Sequence, residues 1–233
     1  MAGVTSRTHR SPRRAEALSR ERIVEAAVEV LDTAGEGGLT FRALTERLTT
    51  GPGAIYWHVA NKGELLGAAT DAVVAGALAA EPAGPPGATP QDRVRAVALG
   101  LFDAIDAHPW VAAQLSGGSW QATTPRIFES IGRQVSALGV PQRNWFTVAS
   151  LLVQHILGAA VQNAANAHVL GPGVDRGEFL DALSRAWQEL DPDDYSFTRT
   201  VADQMRRHDD REQFSEGLDL VLAGITAVHP ARD

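Results

Sequence analysis

Residues 38–66 read GLTFRALTERLTTGPGAIYWHVANKGELL, and this stretch decides the fold. Thr40 is placed to cap a helix whose Leu44 and Leu48 lie four apart on one face, while Arg42 and Arg47 point elsewhere. Thr49-Thr50-Gly51-Pro52 then interrupts the pattern. Pro52 suits the first turn of a new helix, since its missing N–H would have had no intrahelical partner, and Gly51 is a tolerable cap. The spacing predicts a second helix of about two turns from Pro52 to His58. Its Ile55 and Val59 can bury against Ile23, Ala27, Val30 and Leu31 of a preceding helix. Two short helices, a tight turn and an aromatic-basic cluster are the plan of a helix-turn-helix.

What the second helix carries gives that plan a purpose. Gly53 and Ala54 are small and lie near the helix start, where a helix entering the major groove must come close to base edges, and Ala54 can touch a thymine methyl. Tyr56, His58 and Lys62 are donors spaced to reach phosphate oxygens, and Trp57 is left free of the apolar face. Arg42 is the candidate for bidentate contact to guanine O6 and N7. Helical hairpins also occur in proteins that never touch nucleic acid, so the side chains carry this reading more than the hairpin does.

The segment from Ser19 to Leu66 closely resembles the DNA-binding domain of the tetracycline-repressor-like (TetR) family of bacterial regulators. The resemblance rests on Leu39-Thr40-x-Arg42, Ile55-Tyr56-Trp57-His58-Val59 and Asn61-Lys62-x-Glu64-Leu65-Leu66. It implies that Thr40, Tyr56, His58 and Lys62 contact the DNA backbone and that Arg42, Gly53, Ala54 and Trp57 face the bases. Two departures stand out. The family often has glycine in the turn where this chain has Thr49, and often a side-chain cap where it has Gly51, a loss of a few tenths of a kcal/mol.

Composition agrees with a regulator built from one small and one larger domain. The chain has 233 residues, 44% of them hydrophobic, enough for a real core. It has no run of about 18 uninterrupted apolar residues, and its arginine-rich start lacks an apolar signal core, so a cytoplasmic protein without membrane partners is expected. Zero cysteines exclude disulfides and thiolate metal sites. Lys62 is the only lysine among 21 basic residues. The net charge of −7 is unevenly spread: residues 1–75 carry nine basic and nine acidic side chains, and the whole acidic excess lies in residues 76–233. Residues 1–18 read as a flexible basic arm able to track phosphates or enter the minor groove.

Beyond the helix-turn-helix domain at 19–66, residues 67–228 read as one helical effector-binding and dimerisation domain, making the chain all-α. A helix from about Lys62 to Ala80 ends at the loop EPAGPPGATP, residues 81–90. Further helices are predicted over about 90–107, 110–116, 125–138, 142–167, 177–190, 197–207 and 210–228. His108-Pro109-Trp110 and FSEGLDLVLAGI also resemble the C-terminal domain of tetracycline-repressor-class members, more weakly.

Segment 142–167 is apolar on two faces and must be covered twice. One face holds Trp145, Leu152, His155 and Asn163; the other holds Phe146, Val153, Leu157, Ala160 and Ala164. Ala160 and Ala164 allow close approach, and Phe214, Leu218, Val221, Leu222 and Ile225 form a stripe on the last helix. The resemblance implies that these two helices make a four-helix bundle across a two-fold axis, placing two reading heads on a palindromic operator; the alternative is that both stripes are core within one chain. On the first face, His155 and Asn163 need polar partners that a ligand can supply, with Phe102, Ile105, Trp110, Trp120, Phe128, Trp145 and Leu152 as apolar and aromatic walls.

Signatures of catalysis are missing: no Gly-x-Ser-x-Gly, Gly-x-x-x-x-Gly-Lys, strand-borne Gly-x-Gly-x-x-Gly or His-Glu-x-x-His occurs. Asp191, Asp193, Asp194 and His208-Asp209-Asp210 read as solvated loop and capping residues, so neither a metal nor a cofactor is expected. The resemblance implies a repressor, released from a palindromic operator by a largely apolar small molecule. The alternative is a dimeric helical scaffold or small-molecule-binding protein without DNA regulation.

Overall fold

Ser19 opens the first helix, its hydroxyl accepting the Arg22 N–H at 3.3 Å. The computed structural model describes residues 18–79, 87–116, 120–170 and 173–230, the side chains of 120–122, 168 and 170 excepted. The basic arm and most of the Pro/Gly run at 81–90 thus lie outside the described residues.

Helix α1 (Arg20–Gly38) turns Ile23, Ala26, Ala27, Val30 and Leu31 inward, and its last turn breaks at Gly35, whose φ of 63° suits glycine. Helix α2 (Phe41–Leu48) starts where expected: the Thr40 hydroxyl accepts the Ala43 N–H at 3.1 Å. Helix α3 (Pro52–Tyr56) is shorter than the predicted reach to His58. The His58 and Val59 N–H groups both bond back to the Ile55 carbonyl, which tightens and ends the helix. Helix α4 (Lys62–Ala79) is capped by Asn61, which accepts the Glu64 N–H at 2.9 Å, while Glu64 reaches back to the Ala60 N–H at 2.9 Å. Ile23, Ala27, Leu31, Leu44, Ile55, Val59 and Leu65 close the small core of this head, as the inward spacing of Ile55 and Val59 requires.

The body follows as α5 (Pro90–Ala107), α6 (Trp110–Ser116), α7 (Trp120–Ala137), a 3₁₀ turn (Gln142–Asn144), α8 (Trp145–Leu170), α9 (Arg176–Gln188), α10 (Ser196–Arg207) and α11 (Asp210–Val228). Helix α5 has a full capping box, Thr89 and Asp92 bonding reciprocally with Pro90 in the first turn. Helix α7 starts ahead of the predicted residue 125, so Pro125 lies inside it. Helix α8 is the hub, packed against α5, α6, α7 and α11. Helices α9 and α10 pack chiefly on each other, with the Ser184 hydroxyl donating to the Ala202 carbonyl, and Arg176 ties them to Asp210 at 2.6 Å.

The body core takes in the stripe that the sequence offers to either a subunit interface or the chain's own core. Ala160, Ala164, Phe214, Leu218, Leu222 and Ile225 are all buried within one chain, Leu218 completely, and Val221 packs partly buried against them. They are the seam by which α8 and α11 join the body, because the most apolar arc of a helix is taken first by its own core.

Candidate DNA-reading surface and ligand groove

The head presents the residues singled out for reading DNA. Trp57 is 90% exposed and Tyr56 53%. The Tyr56 ring stacks on Phe41, centroids 4.4 Å apart and planes 16° from parallel, which fixes the end of α3 against the start of α2. Gly53 is exposed, and a Cβ there would meet nothing within 4 Å. The fold itself therefore does not need glycine at 53; close approach by another molecule would. Ala54 and His58 are half-buried.

Arg42 stands out from α2 with its Nε donating to Glu46 Oε1 at 2.9 Å. That bond leaves both terminal nitrogens of the guanidinium for a second acceptor pair. Thr40 is engaged as the α2 cap. Lys62 is less free than expected: its Nζ donates to the Glu36 carbonyl at 2.6 Å, joining α4 to the end of α1. An ammonium has three donors, so phosphate contact is still available to it. Arg20 pairs with Glu64 at 2.9 Å, and Arg47 pairs with Glu29. The Ala60 N–H foremost, helped by Arg20, holds the Glu64 carboxyl below the usual carboxylate range against the opposing effect of desolvation.

In the body, a groove of about 490 Å³ opens between α6, α7 and α8. Leu115, Ser116, Phe128, Phe146, Ser150, Val153, Gln154, Leu157, Gly158 and Val161 line it, none of them charged. The Phe128 and Phe146 rings face each other at 6.1 Å and 18°, and Phe146 is 78% exposed.

The residues proposed from sequence as one pocket fall in several places. Of those whose side chains are described, only Phe128 lines this groove. Phe102, His155 and Asn163 line a smaller, more polar cleft between α8 and α11, where Phe214 stacks on both Phe102 and His155. Asn163 finds a partner in its own chain, donating to Asp106 at 2.7 Å, whereas His155 Nε2 is buried with no partner among the described residues. Ile105 and Leu152 are core. The Trp145 indole donates to the Val140 carbonyl at 2.7 Å, across the 3₁₀ turn. Trp110 sits where head meets body, and the Trp120 side chain lies outside the described residues. Phe146 and Val153 were legible as apolar but were assigned to the face expected to meet a second subunit.

The outer faces of α8 and α11 remain uncovered. Leu151, Gly158, Ala165 and Val169 are exposed along α8, and Leu220, Ala223, Gly224 and Ala227 along α11. The most apolar 18-residue window of segment 142–167 has a mean hydropathy of 1.3, yet only 39% of that window is buried within the chain.

Two family descriptions match this architecture: "Bacterial regulatory proteins, tetR family" over residues 23–69, and "Tetracyclin repressor-like, C-terminal domain" over residues 82–229. The chain belongs to the TetR family, and is by that membership a DNA-binding transcriptional regulator. It is 36% identical over 99 residues to an HTH-type transcriptional regulator of Saccharopolyspora erythraea, covering 42% of this chain and 41% of that one. With the class C tetracycline repressor protein of Escherichia coli it shares 44% identity over 57 residues, 24% of this chain and 26% of the relative. The chain thus aligns with less than half the length of these curated relatives. The structure of the transcriptional regulator SCO7222, a TetR from Streptomyces coelicolor, is 64% identical and superposes with a TM-score of 0.81, covering 91% of this chain and all of that one.

Proposed function

We propose that the chain is a cytoplasmic, homodimeric repressor that two reading heads hold on a palindromic operator until a largely apolar small molecule binds the body. In each half-site Arg42 takes a guanine edge, Gly53, Ala54 and Trp57 lie against the bases, and Thr40, Tyr56, His58 and Lys62 hold phosphates. The effector occupies the groove between Phe128 and Phe146, with Ser150 and Gln154 to fix its orientation. The observation that carries the ligand's chemistry is the uncharged lining of that groove, since burying an unpaired ligand charge there would cost far more than apolar contact returns. The second subunit covers the outer faces of α8 and α11, around Leu151, Leu220 and Ala223. No catalytic step is assigned to the chain.

Reading heads on one DNA face must sit about 34 Å apart, or a multiple of it, so a small effector-driven displacement lowers affinity. The operator's loss and the effector's gain are one coupling free energy, on the order of 1–3 kcal/mol. The test begins with genomic DNA fragments retained by the purified protein. A gel shift of a retained fragment against competitor DNA at two salt concentrations should be sequence-preferring and salt-sensitive. Titration with the uncharged dye Nile red should give fluorescence that Phe146→Ala lowers. Absence of any preferred fragment would leave the operator reading without support, and an unaffected dye would do the same for the groove.

A further inference from the structure

The head joins the body in two places. Helix α4 is the first, with Leu65, Leu66 and Ala69 in the head core and Val74 in the body core. A head hung on one helix can swing about that helix. The second joint removes the swing, and its chemistry is specific. Asp32 Oδ1, on α1, receives the Trp110 indole N–H at 2.7 Å and faces His108 Nδ1 at 2.7 Å. A carboxylate only accepts, so this His108 nitrogen carries the proton. One turn on, Gln114 donates to Glu36 Oε2 at 3.3 Å, just past the break at Gly35.

Beside the bonds, head and body are parted by a crevice of about 590 Å³, with Leu31 and Gly35 on one wall and Ala113 and Val161 on the other. Trp110 is the side chain that packs against both cores. Hydrogen bonds to a charged acceptor are directional and strong, so they set an angle where a crevice cannot.

We infer that Asp32, His108 and Trp110 are positioning residues for operator binding: they touch no DNA, but pin each head at a fixed angle to the body and so set the half-site spacing the dimer accepts. The inference rests on the operator reading above. It also accounts for the His108-Pro109-Trp110 break in the sequence, which delivers two donors to one carboxylate oxygen. Ser116 and Val161 border both the crevice and the effector groove, so the pin lies across a shared wall from the ligand.

The measurement is spacing preference. On a retained operator, inserting or removing one base pair between half-sites turns one half-site by about 36°, and wild type should lose about tenfold or more in affinity. Trp110→Phe keeps an aromatic ring and deletes the donor; Asp32→Ala removes the oxygen that both donors share. Both should cut the spacing penalty to about threefold or less while leaving base preference within a half-site, salt dependence and dimer mass unchanged. A merely structural role would lower stability without touching that ratio. Asp32 is on the surface, so Asp32→Ala decides the matter should Trp110→Phe fold poorly. An unchanged penalty in a folded Asp32→Ala protein overturns the inference. A wild-type protein that prefers no fragment would instead remove the operator reading, and this inference with it.

Discussion

Thr49 adopts φ 52° and ψ 50°, the left-handed conformation that a β-branched residue tolerates poorly. It does so because the turn between α2 and α3 must reverse within a few residues, with the Thr50 N–H bonding to the Thr45 carbonyl at 3.1 Å. Thr49→Gly should therefore stabilise the head by about 1 kcal/mol, the relief of strain exceeding glycine's own entropic cost. A thermal melt of the two proteins checks this, and an unraised midpoint would mean that the turn is unstrained. Arg42→Ala should cost about 1–3 kcal/mol on the preferred operator and relax one position in each half-site. Uniform weakening over all sequences would make Arg42 a phosphate contact instead. The family resemblance marks Thr49 as a departure, and the local pattern makes Arg42 a candidate reader. Neither could show that Lys62 bonds to Glu36, because a contact 26 residues away leaves no trace in spacing.

At the scale of elements, periodicity located the helices, and the Thr40 cap placed the start of α2. It did not say which face of a doubly apolar helix is the chain's own core. On α11, Leu218 and Leu220 differ by two residues, about 200° around the axis, and by everything in environment: the first is fully buried, the second 77% exposed. Leu218→Ala should destabilise the fold by about 2–5 kcal/mol, as cavities in packed cores do. Leu220→Arg should leave the monomer's melt nearly unchanged and dissociate the dimer in light scattering. A dimer that persists in Leu220→Arg would move the interface off this face. Glu64 carries a prediction for the α3–α4 junction. Its folded pKa is depressed, so its contribution is present above the ordinary carboxylate value and lost as pH falls through the folded value. Glu64→Gln should flatten the acid side of the stability profile, and curves that stay parallel below pH 5 would remove the claim.

For the whole molecule, charge is divided as function would require. The acidic excess lies in residues 76–233, away from the head, while residues 1–22 hold six arginines against two glutamates. On the proposed function, an acidic body would repel DNA that is not seated on the heads, and a basic arm would draw it in. Removing residues 1–14 takes away Arg7, Arg10, Arg13 and Arg14 and leaves every described helix intact, since α1 begins at Arg20. Fold and dimer should persist, and the change should appear in salt dependence. Each lost phosphate contact should make the slope of log K against log salt shallower by about 0.9 per subunit, and hence by about twice that for a dimer. Preference within the half-site should hold if the arm neutralises phosphates while Arg42 and α3 read bases, as proposed. If an arginine enters the minor groove, deletion should also abolish a preference for narrow, A·T-rich flanks. Slopes measured on the full operator over a fourfold salt range decide the point: identical slopes for both proteins would show that the arm plays no electrostatic part in holding the operator.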